Sequence, residues 1–410
     1  MPRRAPPSWL FGVVAMPYGS FNGIAAVALP FLLRRYGLPI ERIASIGALV
    51  QAPAIWYVLW APVVDLALRR RTWIVLLSVS SGLAAATALY LTTINALRMA
   101  TALFVSASVL AQPVSSALGG LIASVAPTEK RGEIAGWSQT GTLAAGVLAG
   151  GTAIWLTEYS TPATVAAVSG LLLAAPSLAA LFVPEPLPVR SDGRAHIARM
   201  WRELARAVRR RDMWLGILFF LSPVGAGALM NLFAGVAPDF HATVSVVILV
   251  VALGGAMTAV GALAGAYLLD RVDRWRSYPI AGLLTSFVTA ILFFARLVPG
   301  AYVLGAAGYA LVTGFAYANF MALALDLIGE DQAASGTMFT VLTAAVNLPV
   351  LYMLRLDGFG AQRFGVRGML ASDAIANGLF SIVLLVILLL FRRRSSTSAL
   401  SSMRRQPVPE

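Results

Sequence analysis

The sequence predicts an all-α integral membrane protein whose twelve transmembrane helices form two pseudo-symmetric six-helix bundles. Two observations lead to this fold. The 410 residues are 59% hydrophobic and only 12% charged, whereas soluble domains carry about 25% charged residues. A chain with a mean hydropathy of +0.79 would expose more apolar surface in water than it could bury. The second observation is an internal repeat with an offset of about 205 residues.

The repeat carries two landmarks from the first half of the chain into the second half. Pro17 and Gly19 recur as Pro223 and Gly225. An aspartate followed by two arginines also recurs, first as Asp65, Arg69 and Arg71 and then as Asp270, Arg274 and Arg276. A membrane chain that repeats a six-segment block in parallel is typical of a transporter with its pathway between two halves.

The transmembrane helices are predicted from apolar segments of about 20 residues, the length that crosses the hydrocarbon core. The predicted spans are 9–33, 43–66, 73–95, 99–126, 133–157, 161–183, 213–235, 243–269, 277–297, 299–328, 335–357 and 368–391. The repeat groups them into one bundle in 1–183 and a second bundle in 213–392.

The linker and the tail have compositions of their own. Residues 184–212 form a predicted cytoplasmic linker with three prolines among its first five residues. It continues as a basic amphipathic helix, with Ile197, Met200 and Trp201 at helical spacing. This helix lies either on anionic lipid headgroups or in water as a plain tether. Residues 393–410 are polar and are predicted to be a disordered cytoplasmic tail.

The arginines predict the orientation. Most of the 31 Lys and Arg residues fall in loops on the same side as both termini, and positively charged loops stay in the cytoplasm. We therefore expect a multi-pass protein of the cytoplasmic (inner) membrane with both termini inside. Arg3 and Arg4 precede an apolar segment long enough to span, so this segment is predicted to be a helix and not a signal peptide.

The residue inventory argues against several classes of function. The chain has no cysteine and two histidines far apart in the sequence, so no metal site, cofactor or catalytic residue is predicted and the protein is not expected to be an enzyme. Lys130 lacks the preceding glycine-rich loop of an ATP-driven permease. The arginines are spread between apolar segments, which argues against nucleic acid as a partner. The expected partners are a small-molecule solute and the bilayer, with a monomeric chain.

The repeated Asp–Arg turns resemble the loops that transporters of the major facilitator superfamily carry between helices 2 and 3 and between helices 8 and 9. Within that superfamily, the run Trp60-Ala61-Pro62-x-x-Asp65 and the stretch Thr337–Asn347 resemble AmpG-type muropeptide permeases and the related peptide and acetyl-coenzyme A transporters. The chain departs from the permeases in its fourth span, where 112–120 contains no carboxylate.

The resemblance implies a gate at the cytoplasmic helix ends. There an aspartate accepts backbone N–H groups at the start of a facing helix, and arginines clamp the contact. The gating residues implied are Asp65, Arg69, Arg71, Asp270, Arg274 and Arg276. The alternative for the arginines is that they only set the topology.

Amides and hydroxyls in the spans are the candidate solute contacts, because buried polar side chains in a transporter line a water-filled cavity. The candidates are Tyr18, Asn22, Gln51, Gln112, Ser115, Gln139, Asn231, Tyr317, Asn319, Thr343 and Asn347. The alternative is interhelical hydrogen bonding, worth about 0.6 kcal/mol for each bond. Gly19 and Gly225, with their neighbouring prolines, are predicted either to bend their helices or to pack closely.

Membrane carboxylates are the usual groups for proton coupling. Asp326, near the inner end of the tenth span, is the predicted coupling residue, and its alternative role is to pair with an arginine. Asp357 and Asp373 lie near predicted helix ends. The chain is therefore predicted to be a secondary active transporter of a small polar solute, muropeptide- or peptide-like by resemblance, that works by alternating access. Proton coupling and transport without it both stay open. A generic metabolite or drug exporter and a non-transporting receptor stay open as alternatives.

Overall fold

The computed structural model describes residues 6–60, 64, 68–125, 130–185, 202, 211–269, 273–328 and 335–403, and the regular structure in these ranges is helical. The helices of the first half are α1 (Ser8–Arg35), α2 (Ile40–Gln51, continued by Pro53–Trp56 and Tyr57–Leu59), α3 (Arg70–Thr93), α4 (Leu97–Val125), α5 (Arg131–Tyr159) and α6 (Pro162–Ala174, continued by Ala175–Phe182).

The second half repeats this order of helices. Its helices are α7 (Arg211–Phe220, followed by Ala228–Asn231, Phe233–Val236 and Ala237–Phe240), α8 (Val244–Leu269), α9 (Arg274–Phe294), α10 (Pro299–Ile328), α11 (335–363) and α12 (366–403). Within the described chain, nine segments are long and apolar enough to span a membrane, and one of them contains both α11 and α12. The predicted all-α membrane fold is confirmed.

The last two helices differ from the prediction at both ends. The predicted loop 358–367 is helical except at Phe364 and Gly365, where Gly365 has a φ of 61°. The reversal is this short because glycine tolerates the left-handed backbone that the turn requires. Helix α12 continues to Met403, past the predicted start of the disordered tail. No proline interrupts it before Pro407, and extending a formed helix costs little.

Helix α7 is broken where the prediction had a continuous span, 213–235. It ends at Phe220, and Gly225 and Gly227 then adopt φ values of 74° and 63°. Pro223 has no N–H to donate, and the glycines accept positive φ without strain. Two tyrosines satisfy carbonyl groups of the break, because Tyr278 donates to Val224 O and Tyr352 donates to Leu221 O, each at 2.9 Å.

The equivalent residues of α1 behave differently. Pro17 lies inside a continuous helix, and an added Cβ on Gly19 would overlap the carbonyl oxygen of Thr142 on α5. Gly141 is packed as closely against Gly12. Of the two predicted roles for the repeated glycines, bending therefore applies to α7 and close packing applies to α1.

Buried apolar residues form one core that both halves share and two cores that they do not. The shared core includes Leu32 and Ile43 of the first half with Phe233 and Leu354 of the second half. A separate core in the first half is built by Phe11, Ile74 and Leu121. A separate core in the second half is built by Phe220, Tyr278 and Leu323.

Helix α1, helices α3 to α7 and helices α9 to α12 each run from the shared core to a separate one. We call the end with the shared core and the Phe364–Gly365 turn the closed end, and the opposite end, with the two separate cores, the split end. The linker helix predicted in 184–212 lies largely outside the described residues.

Candidate functional site

A cavity of about 280 Å³ lies between the two halves, next to the shared core. Helices α1, α5, α7, α8 and α10 form its wall, which is mostly Gly, Ala and Val. Its polar groups include Asn22, Thr142 and Thr258. The two threonine hydroxyls donate to carbonyl groups of their own helices, at 3.0 and 2.8 Å, so they offer a ligand mainly acceptor oxygens.

Three predicted side chains lie on the same helix faces as the residues that line the cavity, one or more turns closer to the split end. Tyr18 of α1 and Tyr317 of α10 lie close enough to interact electrostatically across the two halves. Tyr317 is 48% exposed. Gln139, also exposed, lies one turn before Thr142 on α5. Polar side chains therefore continue along these helices from the cavity toward the split end.

Gln51 and Asn231 join the halves directly. Nε2 of Gln51 on α2 donates to Oδ1 of Asn231, in the broken part of α7, at 3.2 Å. Asn231 also donates, at 3.5 Å, to the carbonyl oxygen of Gly227. Two of the predicted polar residues therefore contact each other across the bundle interface, close to the shared core.

We expect a Gln51→Leu variant to open the closed end more often, because it removes a hydrogen bond between the halves. A net loss of about 0.5–1.5 kcal/mol would lower the ratio of closed to open molecules about 2- to 10-fold. The measurement is the rate at which an impermeant maleimide, added only on the closed-end side of sealed vesicles, labels Ala234→Cys, a wall residue of the cavity, in this cysteine-free chain.

Thr87→Val is the control for this prediction, because the Thr87 hydroxyl bonds only within its own exposed helical turn. Equal labelling of Ala234→Cys in the Gln51→Leu and parent backgrounds would contradict a role for Gln51 in holding the halves together.

An ion pair bridges the halves at the closed end. Nη2 of Arg34, in the last turn of α1, contacts both carboxylate oxygens of Asp239 at 3.0 and 3.1 Å. The two side chains are 25% and 28% exposed. They stand 205 residues apart, the offset of the internal repeat, so the pair joins equivalent positions of the two halves. Next to it, Arg35 pairs with Glu158 within the first half.

Comparison with known proteins decides the family. A model of the Major Facilitator Superfamily matches residues 11–348. The chain belongs to the major facilitator superfamily. It is accordingly a multi-pass membrane protein that transports small solutes. No curated protein matches the chain.

Solved structures with the same fold include a D-xylose–proton symporter, with a TM-score of 0.72, 12% identity and coverage of 92% of this chain and 96% of that one. The nucleoside transporter NupG has a TM-score of 0.66 and 14% identity, with coverage of 93% of this chain and 98% of that one. A bacterial homolog of the human lysosomal transporter Spinster, in an inward-facing unoccupied conformation, has a TM-score of 0.63 and 15% identity, with coverage of 98% of each chain. The resemblance to AmpG-type permeases stays a prediction.

Other predicted solute contacts of this superfamily transporter do not line the cavity. Gln112 is buried in α4, and Ser115 donates to its carbonyl oxygen at 2.8 Å. Asn319 and Thr343 donate to carbonyl groups one turn earlier in their own helices. Asn347 is half-buried on α11. The hydrogen bonds of Ser115, Asn319 and Thr343 lie within their own helices, so both the solute contact and the interhelical bonding stay predictions for these residues.

The predicted gating aspartates, Asp65 and Asp270, lie outside the described residues. Arg69 lies half-buried before α3. Arg71 donates to the carbonyl oxygens of Leu181 and Val183, each at 3.4 Å, which ties α3 to the end of α6.

The second copy of the motif makes ion pairs within its own half. Arg276 pairs with Asp273 at 3.8 Å. Arg274 pairs with Asp326, whose side chain is 46% exposed. Asp326 therefore has the arginine partner that was its alternative role, and its role in proton coupling stays a prediction.

Sequence reasoning missed two parts of this site. The Arg34–Asp239 pair was detectable, because residues of opposite charge at the repeat offset mark one location in the two halves. The cavity contact of Tyr302 was not detectable, because it depends on the break in α7, where Tyr302 donates to Phe233 O at 2.9 Å.

Proposed function

We propose that the protein moves a small uncharged solute across the cytoplasmic membrane by alternating access. The observation that carries this proposal is the arrangement of the cores, one shared by the halves at the closed end and two separate at the split end, with a cavity between them. Two rigid halves that meet at one end can rock and expose the cavity at the other. The positive-inside bias supports a cytoplasmic split end, which makes this state inward-facing.

The cavity wall supports an uncharged solute with apolar surface. The residues that line it include no Asp, Glu, Lys or Arg among the described part of the chain. An ion without a partner in so apolar a site is strongly disfavoured. The relatives named as D-xylose and nucleoside transporters carry solutes of this uncharged class.

The muropeptide interpretation needs a cation that the described cavity wall lacks. Arg34 is paired with Asp239, and Arg355 is exposed on α11 and does not line the cavity. A neutral, peptide-like solute agrees with both the cavity and the resemblance to the peptide transporters. The proposal includes the gating role of Asp65 and Asp270. Proton coupling of the solute movement is a separate proposal.

Counterflow in proteoliposomes tests the proposal. The probes are labelled uridine, D-xylose, an N-acetylated dipeptide amide and an anhydro-muropeptide. Exchange of at least one neutral probe and none of the muropeptide is expected. Exchange of the muropeptide alone would contradict an uncharged solute.

Filling the cavity is expected to abolish that exchange. Ala26 lines the cavity on α1, and Ala26→Trp would occupy much of a space of about 280 Å³. We expect at least a tenfold loss of counterflow with the protein still folded. Ala102→Trp, on an exposed surface of α4, is the matched control. Equal flux in the two variants would place the pathway elsewhere.

A further inference from the structure

We infer that Asp357 on α11 and Asp373 on α12 form a proton-binding site outside the solute cavity, connected to the cavity by Tyr309. Both carboxylates are 0% exposed. The inference deepens the proposed function, because it supplies a coupling site for the transport cycle.

The tight turn between α11 and α12 brings the two aspartates to one level. Asp357 lies seven residues before Phe364, and Asp373 lies eight residues after Gly365. At a rise of about 1.5 Å per residue both lie roughly 10–12 Å below the turn. The two side chains interact electrostatically with each other, and both interact with the phenol of Tyr309.

The hydrogen bonds around Asp373 are best satisfied when this residue carries a proton. Oγ1 of Thr289 lies 2.9 Å from Thr285 O and 3.0 Å from Oδ2 of Asp373. The hydroxyl has a single hydrogen and cannot donate to both. If Asp373 is protonated, its O–H donates to Thr289, and Thr289 donates to Thr285 O. Tyr309 donates to the other oxygen, Oδ1, at 3.3 Å.

Asp357 provides the second, independent observation. Both of its carboxylate oxygens are buried and have no hydrogen-bond partner among the described residues. A bare carboxylate in that position would cost several kcal/mol. Two neighbouring buried carboxylates also disfavour ionising together. At least one proton on the pair removes both problems.

The charged groups of the surrounding helices do not neutralise the pair. Arg355, Arg363 and Arg367 of α11 and α12 are exposed, and the guanidinium of Arg363 lies over the Phe359 ring at 4.7 Å. Helices α2, α9 and α10 pack against α11 and α12. The charged residues at the ends of these helices that lie toward the closed end are Glu41 and Arg42, at the start of α2, and Arg296, after α9. On α10, the titratable group next to Tyr309 is Tyr302. Neither aspartate forms an ion pair within the described residues.

Tyr309 connects the pair to the cavity wall. Its neighbours Ala306 and Ala310, on the same helix, line the cavity. Its ring packs edge-on against Phe233, a wall residue of the broken α7, with 5.7 Å between ring centroids. Loss of the proton would change the hydrogen bond that orients Tyr309, and a solute that moves Phe233 would act on the same ring.

Infrared spectroscopy of the full-length protein in nanodiscs, without any solute, tests the proton site. At pH 7 the wild type is expected to show the carbonyl stretch of a protonated carboxylic acid. Asp357→Asn and Asp373→Asn, which resemble the protonated acid in shape, should each weaken or remove that band. Asp326→Asn, at the exposed ion pair, is the control and should leave it unchanged.

Three results would overturn the proposal. One is the absence of the band in the folded wild type, and another is a band that keeps its full strength in both variants. The third is a band that disappears when NaCl replaces choline chloride, because that result would assign the pair to Na⁺. Tryptophan fluorescence and size-exclusion profiles establish that each variant is folded.

Transport then tests the coupling separately. Counterflow needs no gradient, so folded Asp373→Asn should retain it for any probe that the wild type exchanges. Accumulation driven by an imposed proton gradient should fall at least tenfold in the same variant. Undiminished gradient-driven accumulation would overturn the coupling role. If no probe exchanges in the wild type, the uncharged-solute proposal fails, and the infrared result still decides the proton site.

Discussion

A Gly141→Ala variant is expected to unfold at a clearly lower temperature than the wild type. Gly141 of α5 faces Gly12 of α1, and an added Cβ would overlap the Gly12 carbonyl oxygen. Backbone cannot move aside as a flexible side chain can, so the two helices must separate along their whole contact. Overpacking of this kind costs about 1–3 kcal/mol, and here the loss should lie at the upper end. Thermal unfolding in detergent, followed by tryptophan fluorescence, measures it.

Gly136→Ala is the matched control for that experiment. Gly136 lies on the same helix and is exposed, and an added Cβ there would meet nothing within 4 Å. Alanine is also the better helix former, by about 1 kcal/mol. We expect no loss of stability in this variant. Equal unfolding temperatures for the Gly136 and Gly141 variants would show that close α1–α5 contact does not hold the first half together.

Reversing one charge of the Arg34–Asp239 pair should open the closed end. Arg34→Asp places two carboxylates at a position where the ion-pair partners are about three-quarters buried. Breaking a buried pair costs about 3–5 kcal/mol, and partial exposure reduces this to about 1–3 kcal/mol. The ratio of closed to open molecules should fall about 5- to 150-fold. Labelling of Ala234→Cys by an impermeant maleimide reports the change.

The double variant Arg34→Asp with Asp239→Arg is the control for that result. It restores opposite charges across the interface and should return labelling to near the wild-type rate. If the double variant labels as fast as the single one, the charges themselves do not hold the end closed. Arg35→Asp breaks a pair within the first half and should have the smaller effect.

The sequence predicts most of the architecture because span length and hydropathy are local properties. It does not predict how the repeat diverges. Pro17 and Gly19 match Pro223 and Gly225, yet α1 stays helical and α7 breaks. The difference arises from tertiary partners, since the carbonyl groups opened in α7 are satisfied by Tyr278 and Tyr352, which lie far away in the sequence.

The candidate site was predicted only in part, for a similar reason. Tyr18, Gln51 and Asn231 were predicted because they are polar residues inside apolar spans. The structure brings these side chains to the interface between the halves. The predicted end of the eleventh span placed Asp357 at a helix terminus. The helix instead continues to residue 363, which places this carboxylate inside the bundle beside Asp373. An error of a few residues in a helix boundary therefore hid the buried pair.

Distances measured at both ends of α5 and α8 test the central claim most directly, which is that the halves rock about the cavity. Spin labels on exposed residues would report the closed end from Tyr159 and Ser245 and the split end from Ala135 and Leu268, in a chain with no native cysteine. Introducing Arg34→Asp should lengthen the first distance and shorten the second in the same sample. Two distances that stay unchanged, or that lengthen together, would contradict alternating access.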